Sequence, residues 1–242
     1  LIIFACKGYH IVGTTPVDMP SNWLQVHPGF TQRAATTMAA RCETQVRRFG
    51  ERLLDGARVF RGWWTLPLDL ALVPISISYL IAGRPFLSKV QVAAWDCDGC
   101  AVCATLCPVS AIKMKANRPY WTFTCEACMR CLNVCPRTAV QTAHLYAGGA
   151  MYAAATAFGY VVGLNPWWSA VKGTFGIGWL ANLTAYSAIA TALLGISYAA
   201  LFALMKWRPA NAVFVYTSLT KYYRRYLAPG VTAKTFMTYN NK

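Results

Sequence analysis

The stretch CDGCAVCATLCPVSAI, Cys97–Ile112, is followed thirteen residues on by CEACMRCLNVCPRTAV, Cys125–Val140. Both runs have the form C-x2-C-x2-C-x3-C-P. A single C-x2-C pair would be compatible with zinc or with a dithiol switch, but eight thiols in two copies, each ending in Cys-Pro, fit iron-sulfur ligation better. Three thiolates at gaps of two can wrap one iron-sulfide cube. The fourth, followed by Pro, is turned toward the other cube. The expected ligand sets are therefore crossed: Cys97, Cys100, Cys103 and Cys135 for cluster one, and Cys125, Cys128, Cys131 and Cys107 for cluster two.

The flanking sequence fits a shielded site. VSAIKM and VQT are β-like, and Ile112, Val140, Trp121 and Phe123 are expected to cover the clusters, with Lys113, Lys115, Arg118, Arg130 and Arg137 adding positive charge. Eight of the ten cysteines lie in the two runs, a pattern of metal thiolates in a reducing compartment rather than of a secreted disulfide framework. Cys6 and Cys42 stand alone and are expected to be small buried hydrophobes.

Outside the runs, the 242 residues are 56% hydrophobic and only 13% charged, with a formal net charge of +15. The last acidic residue is Glu126, and the 116 residues after it carry ten Lys or Arg. Long uncharged stretches between short basic clusters suit a membrane surface, and nucleic acid is not an expected partner. From Thr138 to Val171 there is no Lys, Arg, Asp or Glu, and Leu145–Leu164 is long enough to cross a bilayer. Gly173–Met205 is the second uncharged run, and NPWWSAVKG between them supplies a proline turn and interfacial tryptophans. Gly159 and Gly163 have the spacing of close helix packing, although glycine can equally be filler there. Lys172 is the only basic residue of the intervening loop, whereas Arg130 and Arg137 precede the pair and Lys206, Arg208, Lys221, Arg224 and Arg225 follow it. Both ends of the hairpin are thus expected at the cytoplasmic face, making the protein a multi-pass protein of the cytoplasmic (inner) membrane, with clusters and C-terminus inside.

Trp63–Ala82 also has the length of a span, but Asp69, Pro67 and Pro74 favour an interfacial or docking element over a crossing. Upstream, YHIVGTTPV reads as a strand and Thr31–Leu54 as an amphipathic helix with its arginines and glutamates toward water. The opening LIIFACKGYH reads as the middle of a domain rather than as a signal peptide. His10, His27 and His144 are scattered and are expected to be structural, and KYYRRYLAPG reads either as a juxtamembrane segment on anionic lipid or as a docking strip for an acidic partner.

The cysteine region resembles a bacterial 2(4Fe-4S) ferredoxin. With KGYHIVGTTPVDMPSNWL, a charged helix and PYWTFTCEACMRCLNVCPRTAV in that order, residues 7 to 143 are similar to the family of flavodoxin-ferredoxin fusions. The resemblance implies a flavodoxin-like α/β remnant (1–60) and a two-cluster ferredoxin-like domain (85–143). With the interfacial or docking helix (61–84), the transmembrane α-helical hairpin (144–206), which departs from most such fusions, and the basic cytoplasmic tail (207–242) read from hydropathy and charge, the expected fold class is α+β. It implies that Asn22 and Trp23 border an FMN, provided a phosphate loop precedes Leu1. The expected function is a membrane-attached electron-transfer protein carrying two 4Fe-4S clusters, a carrier rather than a catalyst, and a subunit of a redox complex with other proteins and membrane lipid. The alternatives are a membrane-bound flavin/iron-sulfur reductase serving a quinone or protein acceptor, and a structural subunit whose clusters only stabilise it.

Overall fold

The computed structural model describes residues 2–164 and 178–227, so the NPWWSAVKG loop with Lys172, and everything after Leu227, lie outside the described residues. The chain forms two compact units: Leu1–Ser21 with Phe30–Val73, and Asn22–Gly29 with Pro74–Lys242.

In the first unit a short helix α1 (Ile2–Cys6) leads to strand β1 (Gly13–Thr14), helix α2 (Gln32–Leu54) and strand β2 (Val59–Phe60). β1 and β2 pair in parallel, Gly13 opposite Val59 and Thr14 opposite Phe60. Parallel strands need a crossover, and α2 supplies it. The Thr31 side chain starts α2 by accepting a hydrogen bond from the Ala34 N–H at 3.2 Å. The helix buries Ala35 and Cys42 and turns Arg41, Arg47, Arg48 and Arg52 to water, as its periodicity predicts. Cys42 is the expected buried thiol, whereas Cys6 is exposed because α1 is too short to build a face over it. The strand read over YHIVGTTPV shrinks to two residues, because only Gly13 and Thr14 find a partner strand.

Helix α3 (Leu66–Ser78) carries Pro74 inside it and runs on through a π turn, Tyr79–Gly83, into helix α4 (Arg84–Ser88). The apolar segment therefore extends six residues beyond the Ala82 boundary read from the sequence. Pro85, the second residue of α4, does not end the segment. Among the described residues two helical stretches, Pro67–Ser88 and Thr184–Leu204, are long and apolar enough to cross a membrane.

The cysteine region is built twice. Strands β3 (Gln91–Ala93), β4 (Ile112–Lys115), β5 (Arg118–Trp121) and β6 (Val140–Thr142) surround two short helices, α5 (Val102–Thr105) and α6 (Arg130–Val134). β3 pairs antiparallel with β6, Gln91 opposite Thr142, and β4 with β5, Ile112 opposite Trp121. The first and last strands therefore meet, and the middle two form a hairpin whose turn residues Ala116 and Asn117 both have positive φ, 48° and 58°. That is the twist-matched two-residue hairpin turn. Backbone details repeat at the same positions of each run: Gly99 and Ala127, Ala101 and Met129, and Ser110 and Thr138 all have positive φ.

Helices α7 (His144–Leu164) and α8 (Gly178–Leu204) pack antiparallel. The Tyr146 hydroxyl reaches Leu194 O at 2.9 Å and Ser197 Oγ at 2.6 Å, and the Tyr186 hydroxyl reaches Met151 O at 2.9 Å. The small residues that let the helices approach are Ala150 and Ala154, both buried; a Cβ on Gly159 would meet nothing within 4 Å. Helix α9 (Arg208–Tyr216) folds back and buries Ala210, Asn211 and Val215, so the segment expected to be a free basic tail is built into this unit as far as it is described. Asn211 Nδ2 donates to Ala93 O and Met205 O, both at 3.0 Å. Replacing Asn211 with Ala leaves the Met205 carbonyl without this donor, and a loss of about 1–3 kcal/mol is expected, read as a lower thermal midpoint in detergent.

Candidate metal centre

Each cysteine run is a tight loop that closes on a short helix. Ala101 and Met129, in the left-handed conformation at φ 58°, turn the chain into α5 and α6, which hold Cys103 and Cys131. Gly99 also has positive φ, and a Cβ there would sit 2.9 Å from Asn117 O, so glycine is required at that tip. The fourth cysteine of each run is fixed by a backbone donor: Ala111 N–H points to Cys107 Sγ and Ala139 N–H to Cys135 Sγ, each at 3.2 Å.

The sulfurs group across the repeat. Cys107 lines one cavity with Cys125, Cys128 and Cys131, walled by Gln91, Ile112 and Trp121. Electrostatically Cys125 feels Cys128 and Cys107, and Cys103 feels Cys135, Cys97 and Cys100, while Cys131 feels Cys125 and Cys128 but also Cys103 of the other set. Cys100 and Cys128, equivalent positions in the two runs, are the exposed members of their sets. Among the described residues no three His, Cys, Asp or Glu side chains converge to hold a single metal ion. Tetrahedral zinc draws four sulfurs to about 2.3 Å from one point. A four-iron cube holds its thiolates farther apart, one at each iron corner.

Burial pushes the Cys103 thiol up to about 12, and burial likewise raises Cys125 and, well above its ordinary value, Cys131. These three thiols are thus neutral at neutral pH, and any metal they bound would have to displace their protons. Loading is expected to strengthen steadily as pH rises from 6 to 9 and to release protons into a weakly buffered solution, measured by reconstitution at fixed iron and sulfide.

Two buried donors that influence these cysteines electrostatically have no partner at hydrogen-bond distance. Trp121, fully buried, has an unpaired indole Nε1–H that faces Cys131 and lowers its pKa, against the larger opposing effect of burial. Arg225 has a buried Nη1 without a partner and lies beside Cys135 and Cys131. Buried donors are seldom left unpaired, so both fit a sulfur-rich group between the runs.

Of the residues expected to cover the site, Ile112, Val140 and Trp121 are buried with Cys103 in one apolar cluster. Phe123 is 48% exposed and lies elsewhere, its ring where a Cβ on Gly195 of α8 would stand 2.7 Å from Cζ. The expected cations are mostly committed to other groups: Arg118 donates to Ala93 O at 2.9 Å, Arg137 pairs with Asp98 at 3.3 Å, and Lys115 lies 3.8 Å from the Tyr120 ring centre. Sequence reasoning missed Lys89. It is buried, donates from Nζ to Trp121 O at 2.7 Å, and sits over the rings of Phe123 and Tyr198 at 4.2 and 4.7 Å. Burial lowers its pKa to about 8, while Cys125 opposes that shift. Its only sequence signal is a lone charge in the apolar stretch after Ser88.

Asn22 and Trp23 belong to this unit. Asn22 Nδ2 donates to Cys128 O at 3.1 Å, Trp23 Nε1 donates to Gln25 Oε1 at 3.4 Å, and Leu24 is fully buried among Cys103, Ile112 and Trp121. His144, as expected, is structural: Leu219 N–H donates to its Nδ1 at 3.2 Å, which leaves Nε2–H to donate to Gln25 O at 2.8 Å. His27 has a local contact to Pro28 O at 3.0 Å. Neither a protein-family model, a curated protein nor a solved structure matches this chain.

Proposed function

We propose that the chain is a membrane-attached electron-transfer protein with two 4Fe-4S clusters, cluster one on Cys97, Cys100, Cys103 and Cys135 and cluster two on Cys125, Cys128, Cys131 and Cys107. The observation that carries this reading is the cavity in which Cys107 of the first run joins three cysteines of the second. When bound, such clusters supply one-electron outer-sphere transfer. The chain's own work is to hold and shield. Trp121, Ile112 and Leu24 exclude water, backbone N–H groups steady Cys107 and Cys135, and the exposed Cys100 and Cys128 offer edges to redox partners. The eight thiols fill every iron corner, which favours a carrier over an enzyme with its own substrate site. Anaerobically purified protein is expected to contain about eight iron and eight sulfide per chain. Metal-free protein, or zinc alone, overturns the reading.

The apolar exposure of the helices supports membrane attachment. Leu68, Leu70, Leu80 and Ile81 each expose more than half their surface, and lipid is the solvent that suits them. The α7–α8 hairpin is read as crossing twice. Pro67–Ser88 is read as lying in the interface or re-entering, for a topological reason. Residues 22–29 pack on the cysteine domain, so they share its side. Residues 30–66 contain the charged helix α2 and nothing that could cross. In this reading the chain would reach Pro67 on the side where the cysteines lie and be on that side again after Ser88. An epitope inserted at Gly56 and one at the C-terminus are expected to be cut by protease from the same face of sealed vesicles. Cleavage from opposite faces would make Pro67–Ser88 a crossing span.

FMN enters only through the resemblance to flavodoxin-ferredoxin fusions. Here Asn22 and Leu24 are already used against the cysteine runs, so in this reading electrons reach the clusters from a separate donor.

A further inference from the structure

The last described stretch, Ser218–Leu227, closes over the cysteine sets. Thr220 Oγ1 donates to Gln141 Oε1 at 2.6 Å and accepts from Thr142 N at 3.0 Å. Tyr226 N–H donates to Asn133 Oδ1 at 2.7 Å, and Gly29 N–H donates to Arg224 O at 2.8 Å. Asn133 and Gln141 lie on either side of Cys135 in sequence, so the strap is pinned at both flanks of that ligand.

Between these pins stands Arg225. Its Nη2 donates to Val140 O at 3.0 Å and Thr138 O at 3.3 Å. Its Nη1 is buried and has no partner. Burial lowers the guanidinium's pKa, and the sulfurs of Cys135 and, next, Cys131 act against that shift. An arginine placed only to staple the strap would spend both ends of its fork on carbonyls. Here one end is spent on carbonyls, and the other is buried without a partner on a guanidinium that feels the charge of Cys135 and Cys131.

We infer that Arg225 sets the reduction potentials of the two clusters, as a fixed cation beside Cys135 of cluster one and Cys131 of cluster two. The inference rests on the two-cluster reading. Reduction adds one negative charge to a cluster, and a cation held in a dry site favours the reduced form more than the oxidised one. Arginine suits the task because it does not lose its proton at any working pH. Of the two sulfurs Cys135 has the larger electrostatic effect on Arg225, so cluster one should feel the charge more.

The experiment is a redox titration of the purified full chain with dithionite, followed by electron paramagnetic resonance, with iron and sulfide measured on each sample. Arg225→Gln is expected to lower both midpoints, cluster one's further, and Arg225→Lys to restore most of the difference. Arg224→Gln, next door but exposed, is expected to leave them unchanged. An iron-free wild type overturns the cluster reading itself. Iron-replete Arg225→Gln with unmoved midpoints overturns only the role of Arg225. Should that variant lose iron, Thr220→Val decides: it loosens the strap without touching a ligand or a charge. Lowered midpoints then support the inference, and unmoved ones overturn it.

Discussion

A Cys107→Ser variant is expected to lose the cluster built on Cys125, Cys128 and Cys131 and to keep the one beside its own run. Iron and sulfide per chain would halve, and the remaining resonance signal would belong to Cys97, Cys100, Cys103 and Cys135. The reasons are local. Cys107 lines the cavity of the second run, and the Ala111 N–H at 3.2 Å holds its sulfur there. Serine offers a hard oxygen in place of a soft sulfur, and the other three thiolates cannot close the fourth iron corner. Cys135→Ser should give the mirror result. Loss of the neighbouring cluster in either variant would mean that each run serves itself.

The second large effect is expected at Trp121. It is fully buried, packs with Leu24, Ile112 and Leu132, and turns its indole N–H toward Cys131. Trp121→Ala should cost about 3–5 kcal/mol through the cavity it opens. It should also speed bleaching of the visible absorbance in air, because water and oxygen gain access to cluster two. Trp121→Phe keeps most of the volume and loses the N–H. Its stability loss should be smaller, while cluster two still bleaches faster than in the wild type. Equal bleaching in all three proteins would show that Trp121 is not the cover.

What could be read from the sequence was what is local. The two cysteine runs state their tight loops directly, though not the short helices α5 and α6 that follow them, and β4 and β6 fall within or at VSAIKM and VQT. The length and face of α2 follow from its period. Charges used at long range were not legible. Lys89 and Arg225 look like any other Lys or Arg until folding brings one to Trp121 O, 32 residues away, and the other to Val140 O, 85 residues away. KYYRRYLAPG reads as a lipid or partner contact because basic tyrosine-rich segments usually are; its sequence does not announce that Arg225 and Tyr226 also bond to the chain's own Thr138, Val140 and Asn133. MPSNWL reads as part of the N-terminal segment because its neighbours in sequence lie there, whereas Leu24 finds its burial among the cysteines.

His144 joins Gln25, 119 residues before it, to Leu219, 75 residues after it. Contacts so far apart in the chain close late, because the ordering of the intervening loop must come first. During synthesis the cysteine runs leave the ribosome before α7 and α8, and the strap that seals them emerges only after both helices. On the proposed reading of two clusters beside a membrane, the thiols would stay open to an iron donor until α7 and α8 had inserted, and insertion would be a checkpoint before the centre is closed.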